Sequence, residues 1–130
     1  MKKVINFLRG LFKRKQPTPF DEAMKLLHKG RKCLSTPCRQ VGDNDSKAAL
    51  QLAAEMKLMA ATLSAYGEYN CAGLAANQIG SDLRVLIIQE GRKYVHYINP
   101  KIGMKKGKIE HRETCFSHLG KYFKVKRATE

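Results

Sequence analysis

The sequence predicts an α+β domain in which a small mixed or antiparallel sheet packs on one long helix. Apolar residues recur at helical spacing from Ala49 to Leu63, and from Leu83 onward the pattern changes to short strand-like runs. Turn residues punctuate those runs, which favours hairpins over further helices. The 130 residues, 43% of them hydrophobic, suffice for one domain with a real core. Stretches such as Val85-Leu86-Ile87-Ile88 fall far short of the roughly 20 apolar residues of a membrane-spanning helix.

Residues 1–16 set Val4, Phe7, Leu8, Leu11 and Phe12 at helical spacing among six basic side chains and no acidic one. The segment therefore reads as a basic amphipathic helix. Three readings stay open for it: a solvated or partner-packed helix, a membrane-surface or ribosome contact, and a transit peptide, against which its lack of serine counts. Gln16-Pro17-Thr18-Pro19 breaks any helix, so residues 1–17 are expected to be leader and linker and residues 18–130 the domain.

Thr18, Pro19 and Asp21 supply an N-cap, a first-turn proline and an acid at N3, predicting a short helix to about His28 that stops at Gly30. Lone His28 belongs on its surface. Asp45 or Ser46 caps the long helix, whose stripe is Ala49, Leu52, Ala53, Met56, Met59, Ala60 and Leu63, with an end at Gly67. Its methionines, like Met24, are read as packing. Strands follow at Leu83–Ile88 and Tyr94–Ile98, with a hairpin turn at Glu90-Gly91. Asn99-Pro100 ends the second, Lys105-Lys106-Gly107 marks another turn, and Lys108–Glu113 and Tyr122–Val125 complete the set.

Charge narrows the partners. Against 11 acidic residues stand 25 basic ones, a net +14 that favours anionic surfaces such as RNA, ribosomes or acidic lipid without selecting a specific DNA partner. Four cysteines without a secretory signal read as free thiols in a reducing compartment. Cys33 and Cys38 lack partners for a zinc site. Cys71 reads as a small buried hydrophobe and His96 as a packed or surface histidine.

Chemistry concentrates in two segments. Gly73-Leu74-Ala75-Ala76-Asn77-Gln78-Ile79-Gly80 lies between the long helix and the first strand, where small residues admit a close backbone partner and a glutamine amide can serve an oxyanion. Glu113-Thr114-Cys115-Phe116-Ser117 offers a thiol flanked by a carboxylate. Both segments resemble motifs of the peptide deformylases, as do Arg84-Val85, Ile98-Asn99-Pro100-x-Ile102, Ser117-x-x-Gly120, Val125-x-Arg127 and the opening Leu34-x-x-Pro37 to Val41. The similarity covers roughly residues 33–127.

The resemblance implies a cytoplasmic hydrolase that removes the formyl group from the N-terminal formyl-methionine of nascent chains during translation. It implies one divalent metal, iron(II) or zinc, with Cys115 as first ligand and two further ligands from an HExxH helix. It makes Gln78 and the Phe116 amide oxyanion donors, Glu113 a supporting acid, and Gly73 and Leu74 substrate-binding positions. The sequence departs from the family at three points. Cys71 and Thr114 stand where the family has glycine, adding Cβ atoms expected to crowd the cleft, and no HExxH occurs in the 130 residues. The expected fold is thus deformylase-like and C-terminally incomplete, inactive as it stands. His111, Cys115 and His118 have the residue types of a substitute site, at a spacing that does not guarantee convergence. The alternative is a degenerate, non-catalytic module binding RNA, ribosome or membrane through its basic surface.

Deleting residues 1–16 is expected to weaken association with ribosomes or anionic vesicles, because six positive charges leave with them. Co-sedimentation at two salt concentrations checks this. Unchanged, salt-insensitive binding would count against the leader.

Overall fold

The computed structural model describes residues 16–66 and 70–130. The leader and the expected helix stop at Gly67 lie outside the described residues. Helix α1 spans Pro19–Gly30 and begins as its sequence dictates: the Thr18 hydroxyl accepts from the Asp21 amide at 3.2 Å, and the Asp21 carboxylate accepts from the Thr18 amide at 2.8 Å. Its buried positions are Ala23, Leu27 and Gly30. Helix α2 spans Ser46–Tyr66 after a 3-10 turn at Asp43–Asp45. Six of its seven stripe residues are buried, and Leu52 packs on them part-exposed. Leu63 and Met56 are wholly enclosed, each contributing roughly 1.5–3 kcal/mol of apolar transfer.

Helix α1 ends at Gly30 as expected, though not through a left-handed cap. The Gly30 φ is −70° and the chain runs on into a 3-10 turn at Arg31–Cys33. A left-handed stop is therefore not why glycine stands there. A Cβ on Gly30 would lie 1.9 Å from the Gln78 carbonyl oxygen, so the glycine lets α1 press directly on that backbone.

Three antiparallel strands form the first sheet: β1 (Gly73–Ala75), β2 (Val85–Glu90) and β3 (Lys93–Ile98), in that order. Strand β1 falls within the first motif and is too short to show a period in sequence. Its register pairs Leu74 with Ile87, and both face α2 in the core beside Val85. Gly91, at φ 61°, turns β2 into β3 where the sequence indicates. A second sheet is the hairpin of β4 (Ile109–Glu113) and β5 (Phe123–Arg127).

Two side-chain clamps tie the loops to this frame. The Arg39 guanidinium bridges Asp45 at 2.7 Å and Asp82 at 2.9 Å, which holds the Asp45 carboxyl below its ordinary range. Asn99, at φ 53°, accepts from the Val41 amide at 2.7 Å and donates to its carbonyl at 2.9 Å. Among the described residues no helix is long and apolar enough to cross a membrane.

Gly30→Ala is expected to cost about 1–3 kcal/mol, the range for overpacking, whereas Gly103→Ala, with open space around it, should stay within about 0.5 kcal/mol of the parent. Urea unfolding of the two variants checks the contrast. Equal stabilities would mean that α1 does not press on Gln78.

Candidate active site

After β1 the chain turns through a 3-10 segment, Ala76–Ile79, which Gly80 closes in the left-handed region at φ 87°. That turn presents Gln78. Its Oε1 accepts from the Ala75 amide at 2.9 Å, which fixes the amide's orientation and turns the NH2 group outward. Nε2 then donates to Cys115 Sγ at 3.4 Å and to Ser117 Oγ at 3.2 Å. Residues 37 and 39 positions apart thus meet on one side-chain amide.

Cys115 is extended and caps a 3-10 turn at Phe116–His118. As the first residue of that turn, Phe116 carries an amide N–H the turn itself cannot use. Ser117 is completely buried, and its carbonyl accepts from Arg31 Nε at 2.6 Å. Position 30 therefore touches the Gln78 backbone while position 31 holds the Cys115 turn. Between the two lies a cleft of about 260 Å³ whose lining includes Gly73, Gln78, Thr114, Cys115, Phe116 and Leu119. A preset NH2 group and a nearby free amide, both at one thiol, can stabilise negative charge developing on a substrate oxygen.

The remaining expected site residues stand elsewhere. Leu74 is 3% exposed and its side chain belongs to the core, and the cleft is lined by its neighbour Gly73 instead. Glu113 accepts from Arg127 at 2.8 and 2.6 Å and faces His111 Nε2 at 3.2 Å, so it ties β4 to β5. The Arg127 guanidinium holds its carboxyl below the usual range. Thr114 lines the cleft as expected. Cys71 does not crowd it: the side chain is fully buried in the core, with Sγ donating to the Gly73 carbonyl at 3.5 Å. Burial pushes its thiol up to about 11.

The donor set does not fit a complete metal centre. Among the described residues no three His, Cys, Asp or Glu side chains converge on a point that could hold an ion. His111 is occupied with Glu113 and His118 packs edge-on against Phe123 at 5.9 Å, so the substitute trio does not assemble. Among the described residues Cys115 is the one His, Cys, Asp or Glu side chain that lines the cleft.

Sequence reasoning missed Arg31 and the structural work of Gly30 and Ser117. The serine was legible as part of a motif, but nothing local marks a contact that spans 86 positions.

A helix-backed, three-stranded sheet that holds a glutamine amide against a thiol on a separate turn is an architecture of the deformylase type. The polypeptide deformylase family description matches residues 23–130. A peptide deformylase of Helicobacter pylori is 35% identical over 112 residues, covering 80% of this chain and 60% of that protein. One from Clostridium beijerinckii is 44% identical over 58 residues, covering 45% and 42%. Among solved structures, the Thermus thermophilus peptide deformylase superposes with a TM-score of 0.60 at 33% identity, covering 76% of this chain and 56% of that one. A class I type b peptide deformylase from Acinetobacter baumannii gives 0.61 at 27%, covering 77% and 66%. The chain belongs to the polypeptide deformylase family. It spans less than two thirds of the length of the curated relatives it matches.

The Cys71 thiol supplies a pH test. Its native value, about 11, lies above the ordinary 9.0, so its contribution to stability is intact below about pH 9 and is lost as pH rises toward 11. Thermal melts between those limits should fall less steeply for Cys71→Ala than for the parent. Parallel slopes would show that the thiol is not shielded.

Proposed function

We propose that the chain carries the substrate-cleft part of a peptide deformylase, acting on the formyl group of N-terminal formyl-methionine in nascent chains. The observation that supports this most is the Gln78 amide, fixed by Ala75 and directed at Cys115 Sγ from 3.4 Å. A formyl group seated beside Cys115 would find its oxygen between Gln78 Nε2 and the Phe116 amide, the donors that act as charge develops there. Gly73 lines the same cleft, and a Cβ on it would approach the Ile87 carbonyl to 2.8 Å, so its bareness serves both strand packing and close approach by a peptide.

Family chemistry implies iron(II) or zinc, and Cys115 is the residue here that would hold it. The described residues supply no second or third ligand, so the 130 residues alone should bind such an ion weakly and without turnover. The four free thiols favour a reducing, cytoplasmic setting, and the net +14 favours a ribosomal one. The single-donor cleft equally favours a second reading, a non-catalytic deformylase-fold module that acts through its basic surface.

The test is formate release from formyl-Met peptides by the chain alone and by the chain completed with an HExxH-bearing segment. Activity is expected only on completion, with Cys115→Ala abolishing metal uptake and Gln78→Ala sparing metal while lowering kcat by roughly 100-fold or more. Turnover by the unaccompanied chain would overturn the incomplete-site reading. Inactivity of a folded, metal-loaded completed protein would favour the module.

A further inference from the structure

Hairpin β4–β5 concentrates positive charge on one face. Residues opposite each other in an antiparallel pair share a face, and the register sets Arg112 against Lys124 and Glu110 against Lys126. All four are exposed. Like charges directly opposite destabilise a hairpin, and Arg112 with Lys124 is such a pair. Among the described residues Lys105, Lys108, Arg112, Lys124 and Lys126 have no ion-pair partner. The hairpin's ion pairs, Arg127 and His111 with Glu113, lie on the opposite face.

The charged face leads into a groove of about 650 Å³ bordered by Lys105, Lys108, Lys126 and Arg127. Backbone bonds shape its end: the Thr129 amide donates to the Lys106 carbonyl at 2.8 Å, and the Lys106 amide to the Glu130 carbonyl at 3.0 Å. Just before β5 stands Tyr122, 65% exposed. Cations at alternate strand positions lie roughly 7 Å apart, and an aromatic ring stands at one end of the row.

We propose that this face binds the phosphate backbone of single-stranded nucleic acid, with Arg112, Lys124, Lys126 and Lys108 tracking phosphates and Tyr122 stacking on a base. The proposal deepens the ribosomal contact suggested above by naming its surface. A polyanion neutralises the Arg112–Lys124 repulsion; among the described residues the one carboxylate on that face, Glu110, stands opposite Lys126 and forms an ion pair with neither Arg112 nor Lys124. A duplex hides the base faces Tyr122 would need, and a lipid surface calls for apolar side chains that the Glu110, Arg112, Lys124, Lys126 face does not carry.

The test measures fluorescence anisotropy of the full chain with a labelled single-stranded RNA oligonucleotide, its DNA counterpart, the RNA duplex, and phosphatidylserine vesicles across a salt series. Single strands should bind more tightly than the duplex. Lys124→Gln should weaken binding uniformly across sequences and reduce the salt slope by about 0.7, one phosphate contact, while Lys47→Gln on α2, with the same charge change, should leave the slope alone. Tyr122→Ala should weaken single-strand binding by about tenfold and duplex binding little. RNA and DNA strands binding alike would assign the recognition to phosphate, and a preference for RNA would assign part of it to the 2′-hydroxyl, both within the proposal. Lys124→Glu separates binding from folding: it places an acid opposite Arg112, so Tm should rise by about 1–4 °C as affinity falls. Wild-type binding that Lys124→Gln, Lys124→Glu and Tyr122→Ala leave unchanged would overturn the hairpin surface and leave the ribosomal reading standing. No single-strand binding at all, or a preference for vesicles, would overturn both.

Discussion

Two consecutive residues at the end of α1 hold the cleft together. Gly30 lies so close to the Gln78 carbonyl that no Cβ fits between them, and Arg31 reaches the Ser117 carbonyl at 2.6 Å. Gln78 follows the three-stranded sheet, whereas Cys115 belongs to the connection between β4 and β5, and the two sheets share no hydrogen-bonded strand. Without the α1 end, the relation between amide and thiol would rest on the weak Nε2 contacts and on the packing of Phe116 against the core. A charge-assisted bond to a buried turn, worth roughly 1.5–3 kcal/mol, is a firmer link than those. Helix capping at Thr18 matters to the site for the same reason, since it helps set the helix that delivers residues 30 and 31.

Long-period features were legible in the sequence. The α2 stripe from Ala49 to Leu63 and the β2–β3 hairpin at Gly91 follow from apolar spacing and turn chemistry. Strand β1 was not, because three residues of Gly-Leu-Ala show no alternation and pair only through β2. Gly30 ends α1 as its sequence indicates, but for a reason the sequence does not show. A glycine at a helix end ordinarily signals a left-handed stop, and only a contact 48 positions away reveals that bareness, not φ, is what the fold requires there. Cys71 was expected to narrow the cleft because the family resemblance puts a glycine there, but its side chain is buried in the core while Ala72 and Gly73 line the cleft. The Tyr94 hydroxyl, donating to the Cys71 carbonyl at 2.7 Å, and Ser64 Oγ, accepting from its amide at 2.9 Å, turn that residue into the core.

The site is uneven in a way the two motifs explain. Gln78 and Phe116, the residues proposed to serve an oxyanion, come from turns that local sequence encodes. Ligands that would complete an ion's shell must come from a separate element, and the histidines present near Cys115 are committed to Glu113 and to Phe123. A thiol alone supplies charge without geometry. The donor side and the metal side can therefore be separated experimentally, because the Ala75 amide holds Gln78 in place.

Charge distribution follows the same division of labour. The charged clamp on the core around α2 and the first sheet is Arg39, whose cation is matched by Asp45 and Asp82. Hairpin β4–β5 instead keeps unmatched cations on one face and uses Glu113 to bind β4 to β5 on the other. Selection for stability alone would replace one member of the Arg112–Lys124 pair, since a single opposite charge there would turn a repulsion into an attraction. The hairpin that carries Cys115 at its end thus gives up local stability on one face while Glu113 ties down the other, the pattern expected where a surface is shaped for something other than the fold.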